Sequence, residues 1–167
     1  MPMQFSSVDA QNLRLMAFDV DGVMTDGRLL FGPQGEELKV FNTLDGHGLK
    51  KLAASGVILA IITGRNSPMV AKRAADLGIE HVIQGREDKG VALEALADSL
   101  SIAAHETGYA GDDEPDVSAL LWARLSFAPA NAHDCAKTAA DHVTERRGGE
   151  GAVREICDAI LALRSQA

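Results

Sequence analysis

Three short apolar runs, residues 13–18, 57–62 and 107–110, each end at a polar cluster and lead into a stretch with helical spacing. Runs of that length bounded by polar and turn residues are buried strands rather than helices. The alternation continues along the chain, with strand-like segments at 82–83, 125–128 and 142–143. Helical spacing falls at 45–55, 67–77, 89–100, 115–121, near 133–138 and at 151–164. Gly56 and Gly78 follow two of these helices as stops, and Pro115 suits a first turn. Strand and helix in alternation predict a Rossmann-like α/β fold, a mostly parallel sheet with helices on both faces. In such sheets ligands bind beyond the carboxyl ends of the strands. Asp19, Asp21, Thr63, Asp112 and Asp113 all sit there.

One segment departs from the alternation. Residues 27–32 and 36–41 are strand-like and flank Gly32-Pro33-Gln34-Gly35, so a β-hairpin is expected over about 27–41. The polar residues 1–12 read as a loose lead-in, and 13–167 as one domain, long enough to build its own core. With aromatics at 4%, that core must come mainly from Ala, Val, Ile and Leu.

A net charge of -8 argues against nucleic acid as partner, because phosphate backbones are bound by clustered Lys and Arg. A small phosphate ester remains open if a metal and a few local cations meet it. Cys135 and Cys157 are too few for a disulfide framework and read as free thiols. No leader-like start and no apolar run near 20 residues is present, so no membrane partner and a cytoplasmic location are expected.

Asp19-Val20-Asp21-Gly22 places two carboxylates on one side of an extended segment, which suits a cation or divided acid and base roles. Alone, it reads equally as a strand ending in a polar turn. Gly111-Asp112-Asp113-Glu114-Pro115-Asp116 crowds four carboxylates at a helix start, where the helix dipole by itself favours acids. Thr63-Gly64-Arg65 offers a hydroxyl and backbone N–H groups to an anion, and is also an ordinary turn. Lys89, near a helix start, alone reads as a solvated cation.

Taken in order, these elements resemble the four motifs of the haloacid dehalogenase superfamily, with Asp19-Val20-Asp21-Gly22-Val23-Met24-Thr25 the most specific match. The resemblance implies a magnesium-dependent phosphatase. Asp19 would be the nucleophile that forms an aspartyl-phosphate, and Asp21 the general acid and base. Mg²⁺ would be held by Asp19, the Asp21 backbone carbonyl and Asp112. Thr63 and Lys89 would bind and neutralise the phosphoryl group, while Asp113 and Asp116 orient Lys89 and metal-bound water.

The hairpin stands where most relatives insert a cap domain, so the chain resembles the capless subclass. Gly35-Glu36-Glu37-Leu38-Lys39, Asp45-Gly46, Gln84-Gly85 and the tail Gly148-Gly149-Glu150-Gly151-Ala152-Val153-Arg154-Glu155 narrow the likeness to the branch that hydrolyses sugar-acid phosphates for the lipopolysaccharide core. That branch implies 3-deoxy-D-manno-octulosonate 8-phosphate as substrate and a homotetramer whose hairpins form a shared barrel. By the same resemblance Asn42, Thr43, Leu44, Asp45, Gly46, Lys50, Arg65 and Arg73 would contact the sugar acid or its phosphate. Arg154 is equally explained by an ion pair with Asp158 one helical turn on. Leu44, His47 and Glu150 depart from the expected pattern, which leaves a nonulosonate 9-phosphate as the alternative substrate. A receiver domain is disfavoured because no Asp ends the 57–62 run, and a non-catalytic oligomerisation module because the acidic and basic set is intact.

Overall fold

Leu15–Phe18 is buried at all four positions, as only a strand covered on both faces can be. This strand, β1, is the centre of the computed structural model, which describes residues 5–165. Its side chains alternate between two cores. Met16 and Phe18 pack with Leu49, Leu77, Ile156 and Ile160 on one face. Leu15 and Ala17 pack with Leu93, Tyr109 and Leu120 on the other. Each fully buried Leu or Phe contributes about 1.5–3 kcal/mol, so both layers hold the central strand in place.

The chain runs through α1 (Ser7–Asn12), β1, the hairpin strands β2 (Leu30–Gly32) and β3 (Gly35–Leu38), α2 (Thr43–Ala54), β4 (Ile58–Ile62), α3 (Pro68–Leu77) and β5 (His81–Ile83). It continues through α4 (Lys89–Ser99), β6 (Thr107–Ala110), α5 (Val117–Trp122), β7 (Leu125–Ala128), α6 (Asp134–Ala139), β8 (His142–Val143) and α7 (Ala152–Arg164). Six strands form one parallel sheet in the order β5-β4-β1-β6-β7-β8. Helices α2, α3 and α7 cover the Phe18 face, and α4, α5 and α6 the Leu15 face. The chain winds outward from β1 to β5, then returns to the far side of β1 for β6. That reversal opens a crevice at the carboxyl end of β1, the place where such sheets bind ligands.

The expected α/β architecture is present, with differences at element ends. Helix α2 begins two residues before the apolar spacing suggests, because the Asn42 side chain accepts a hydrogen bond from Leu44 N at 2.8 Å. The hairpin strands are shorter than 27–32 and 36–41, and their register shifts between Leu30 and Phe31. The hairpin pairs only with itself and leaves Leu30, Phe31, Leu38 and Val40 exposed, Phe31 at 62%.

The expected loose lead-in contains a packed helix. Residues 1–4 lie outside the described residues, but Ser6 caps α1 by accepting from Val8 N and Asp9 N. Ala10 is fully buried, Arg164 donates to the carbonyls of Ala10 and Leu13, and Arg124 makes a double hydrogen bond to Asp9 at 2.9 and 3.0 Å. Those partners lie more than a hundred residues away, so local pattern could not reveal them.

The glycine-rich tail closes on the loop after β1. Gly149 N donates to Val23 O, Gly148 N to Asn131 Oδ1, and Asn131 Nδ2 to Gly22 O. A Cβ on Gly148 would stand 1.9 Å from Gly22 O, so no larger residue fits without moving backbone. Gly148→Ala is therefore expected to cost about 1–3 kcal/mol, read as a shift in the urea midpoint, and an unchanged midpoint would show that the tail is not pressed on this loop.

Candidate active site

Strand ends deliver the side chains that the sequence singled out. Asp19 follows β1, and its backbone N–H is held by Ala110 O of β6. Thr63 follows β4, with its N–H held by Ile83 O. Asp112 and Asp113 follow β6, while Lys89 opens α4. Gly22, at φ +88°, turns the chain back after Asp21, and its missing side chain leaves room for the Asp112 carboxylate. Asp19, Thr63, Lys89, Asp112 and Asp113, together with Asp21, Arg65, Glu87 and Asp116, line an open pocket of about 290 Å³.

At its floor Lys89 Nζ lies 2.9 Å from Asp19 Oδ2 and 2.8 Å from Asp116 Oδ1. Asp116 uses all of its capacity on neighbours: Oδ1 also accepts from Tyr109 OH at 2.6 Å, and Oδ2 accepts from the N–H groups of Asp112 and Asp113 at 2.9 and 3.1 Å. Asp19 Oδ1 accepts from Val20 N at 2.7 Å, which leaves Oδ2 facing the lysine.

Three carboxylates gather here, those of Asp19, Asp112 and Asp116, and Lys89 pairs with two of them. Burial first, then the charge of Asp116, pushes the Asp19 carboxyl well above the usual range, with Lys89 opposing. The same two causes push Asp112 up to about 7. Burial favours a neutral amine on Lys89, but Asp19 and Asp116 outweigh it and hold the ammonium above its ordinary value. Burial, then Asp116, holds the Tyr109 hydroxyl well above its range, so it stays a donor.

A buried excess of negative charge calls for a cation. Acidic oxygens of Asp19, Asp112 and Asp116 lie within 4.8 Å of one another. Asp116 has no oxygen left over, so Asp19 and Asp112 are the carboxylates that could take the ion. Their hard oxygen donors fit Mg²⁺. Asp21 also lines the pocket, and its Oδ1 accepts from Lys39 Nζ on the hairpin at 2.6 Å.

Asp112 supplies a test. A carboxyl raised from about 3.9 to about 7 is protonated in the folded state over that interval, so its ionisation costs the metal-free protein stability as pH rises through it. A cation must displace that proton. Mg²⁺ affinity is therefore expected to rise about tenfold between roughly pH 6 and pH 8, measured by calorimetric titration. Equal affinity at both would show that Asp112 is not a ligand.

The other predicted contact residues divide. Arg65 lines the pocket, with Nε 3.9 Å from Asp21 Oδ2. None of Asn42, Thr43, Leu44, Asp45, Gly46, Lys50 and Arg73 does. Asn42 caps α2 and donates from Nδ2 to Gly149 O. Asp45 is buried, and its Oδ1 accepts from Arg154 N at 2.9 Å. Arg73 donates to Asn42 O and lies over the Phe41 ring, and Gly46 makes room for its guanidinium. Leu44 borders a separate cavity of about 400 Å³ with Arg146 and Arg154. Thr43 and Lys50 are exposed. Arg154 pairs with Asp158 at 2.7 Å, the ion pair its spacing suggested.

Of the two expected outer groups, Asp116 reaches Lys89, whereas Asp113 accepts from Glu114 N and caps the short turn after β6. Sequence reading gave no role to Tyr109, Glu87 or Lys39. Tyr109 reads as plain core, Lys39 stands in the segment 35–39 that carries the likeness but without a role of its own, and no local signal marks Glu87.

A buried carboxylate beside a lysine and hard oxygen donors suits phosphoryl transfer, and a doubly wound sheet carrying it at the switch point defines a phosphoryl-transfer hydrolase of the α/β class. A family model of haloacid dehalogenase-like hydrolases matches residues 81–156. The chain is 45% identical to 3-deoxy-D-manno-octulosonate 8-phosphate phosphatase KdsC of Escherichia coli K12 over 152 residues, covering 91% of this chain and 81% of that protein. It is 47% identical to the Yersinia pestis protein of the same name, with the same coverage. A crystal structure of the Moraxella catarrhalis phosphatase, in complex with magnesium, phosphate and a KDO molecule, superposes with a TM-score of 0.92 at 42% identity, covering 96% of this chain and 92% of that one. The chain belongs to the haloacid dehalogenase-like hydrolases, in the family of the 3-deoxy-D-manno-octulosonate 8-phosphate phosphatases.

Proposed function

We propose that this chain hydrolyses 3-deoxy-D-manno-octulosonate 8-phosphate to the free sugar acid and phosphate, with Mg²⁺ as cofactor, in lipopolysaccharide core synthesis. The observation that carries this reading is the buried Asp19 that shares Lys89 with Asp116 and faces Asp112, in a chain 45% identical to a phosphatase of that name.

Asp19 attacks phosphorus and forms an aspartyl-phosphate as the ester P–O bond breaks. Asp21 gives its proton to the departing alkoxide, then takes one from the water that cleaves the aspartyl-phosphate. Lys89 meets the charge that grows on the phosphoryl oxygens, and Thr63 binds them. Mg²⁺, held by the carboxylates of Asp19 and Asp112 and the backbone carbonyl of Asp21, supplies positive charge against the phosphate. Asp116 holds Lys89 and the Asp112 turn in position, with Asp113 beside it. Arg65, on the pocket wall, suits the substrate carboxylate or phosphate.

An open pocket and a hairpin with exposed Phe31, Leu38 and Val40 support a homotetramer in which hairpins join. In that assembly Thr43, Leu44 and Lys50, exposed on α2, are free to reach a neighbour's substrate, while Asn42, Asp45, Gly46 and Arg73 act from behind them. Among the described residues no helix is long and apolar enough to cross a membrane, and the proposed location is the cytoplasm.

The test is phosphate release from the octulosonate 8-phosphate, a nonulosonate 9-phosphate and a hexose phosphate, with Mg²⁺ and with chelator. Preference for the first is expected. Preference for the second would move the protein to nonulosonate metabolism, and turnover that ignores the chelator would overturn the mechanism.

A further inference from the structure

We propose that Lys39, on the hairpin, is a positioning residue that sets which oxygen of Asp21 carries the catalytic proton. The inference rests on Asp21 being the acid and base of the phosphatase reaction. Lys39 Nζ donates to Asp21 Oδ1 at 2.6 Å and lies 2.6 Å from Glu36 Oε1, the second contact being an ion pair not aligned as a hydrogen bond. The Lys39 side chain is 2% exposed, so water does not compete for either contact.

An ammonium only donates, and the oxygen that accepts from it does not bear the proton of a neutral carboxyl. When Asp21 carries the proton it gives to the leaving group, that proton therefore sits on Oδ2. That oxygen faces Arg65, which lines the pocket together with Asp21; Arg65 Nε is 3.9 Å away and beyond hydrogen-bond reach, which leaves Oδ2 for a reacting oxygen. In the first half-reaction the ester oxygen keeps the electron pair of the breaking P–O bond and receives the Oδ2 proton. In the second, Oδ2 takes a proton from the attacking water as the Asp19–phosphorus bond breaks. Lys39 transfers no proton. It stops the carboxyl from rotating, and Glu36 holds Lys39 in turn. The ordered hairpin thereby becomes part of the catalytic geometry, although it lies outside the main sheet.

Cleavage of the aspartyl-phosphate needs Oδ2 as base with either ester, so the esters differ only in the first half-reaction. There a sugar alkoxide is a poor leaving group without protonation, whereas p-nitrophenolate leaves unaided. We would measure the single-turnover rate of leaving-group release, with enzyme in excess and Mg²⁺ present, for wild type, Lys39→Met and Lys39→Arg on the sugar-acid phosphate and on p-nitrophenyl phosphate. Lys39→Met is expected to lower that rate about a hundredfold on the sugar phosphate but by no more than about threefold on the aryl ester, with Lys39→Arg recovering most of the loss. Lys39→Gln gives the same ratio should Lys39→Met not fold. Equal losses on both esters, or no loss on either, would overturn the proposal while leaving the phosphatase reading intact. A wild type that releases phosphate from neither ester would instead sink that reading, and the proposal with it.

Discussion

Asp19→Asn is expected to lower phosphate release by at least about 10⁴-fold while the chain stays folded. The amide keeps the size of the carboxylate but offers no nucleophilic oxygen where the aspartyl-phosphate forms. Lys89 keeps Asp116 at 2.8 Å, so the buried ammonium is not left unpaired. Stability should move the other way. Burial and the charge of Asp116 hold the Asp19 carboxyl well above its usual value, which means that ionising it costs the folded state. Below about pH 4 the carboxyl is protonated in both folded and unfolded chains and that cost is absent. As pH rises it grows, so without Mg²⁺ the variant should equal wild type in acid and exceed it at neutral pH. Phosphate release and urea unfolding at two pH values read both effects. Residual turnover within a hundredfold of wild type would show that Asp19 is not the nucleophile.

Asp116→Ala carries the second large effect, and here activity and stability fall together. The fully buried carboxylate receives Lys89, Tyr109 and two backbone N–H groups of the turn that presents Asp112. Its removal leaves a buried ammonium with one carboxylate and three donors with no acceptor. Breaking a buried pair from one side costs about 3–5 kcal/mol. The turn should loosen and take Asp112 out of place, which also weakens Mg²⁺ binding. Asp116→Asn, which keeps one acceptor oxygen, should lose less. Urea unfolding and Mg²⁺ titration test this, and a midpoint equal to wild type would show that the turn stands without Asp116.

The core of the site was legible because chemistry and strand ends coincide. Asp19, Asp21, Thr63, Lys89 and Asp112 converge on one pocket, as their order along an alternating chain implied. The binding set 42–46, Lys50 and Arg73 was less legible. Asn42 is a helix cap, Asp45 receives an N–H of α7, and Arg73 packs on Phe41, all through partners far along the chain. The ordered segment after Ser6 was hidden for the same reason, since Arg124 and Arg164 hold it from the other end of the sequence.

By itself, then, the sequence determined the parallel α/β layering, the hairpin in place of a cap, and the carboxylates, hydroxyl and lysine that meet in one pocket. These follow from periodicity and from residue types that each chemistry requires, both of which are local. Tertiary structure alone decided that both Asp116 oxygens are taken by four donors, that Tyr109 is one of those donors, and that Lys39 grips Asp21 across eighteen residues. Contacts of that kind depend on where the sheet and hairpin bring distant side chains, and on burial that makes three carboxylates around one lysine need a cation.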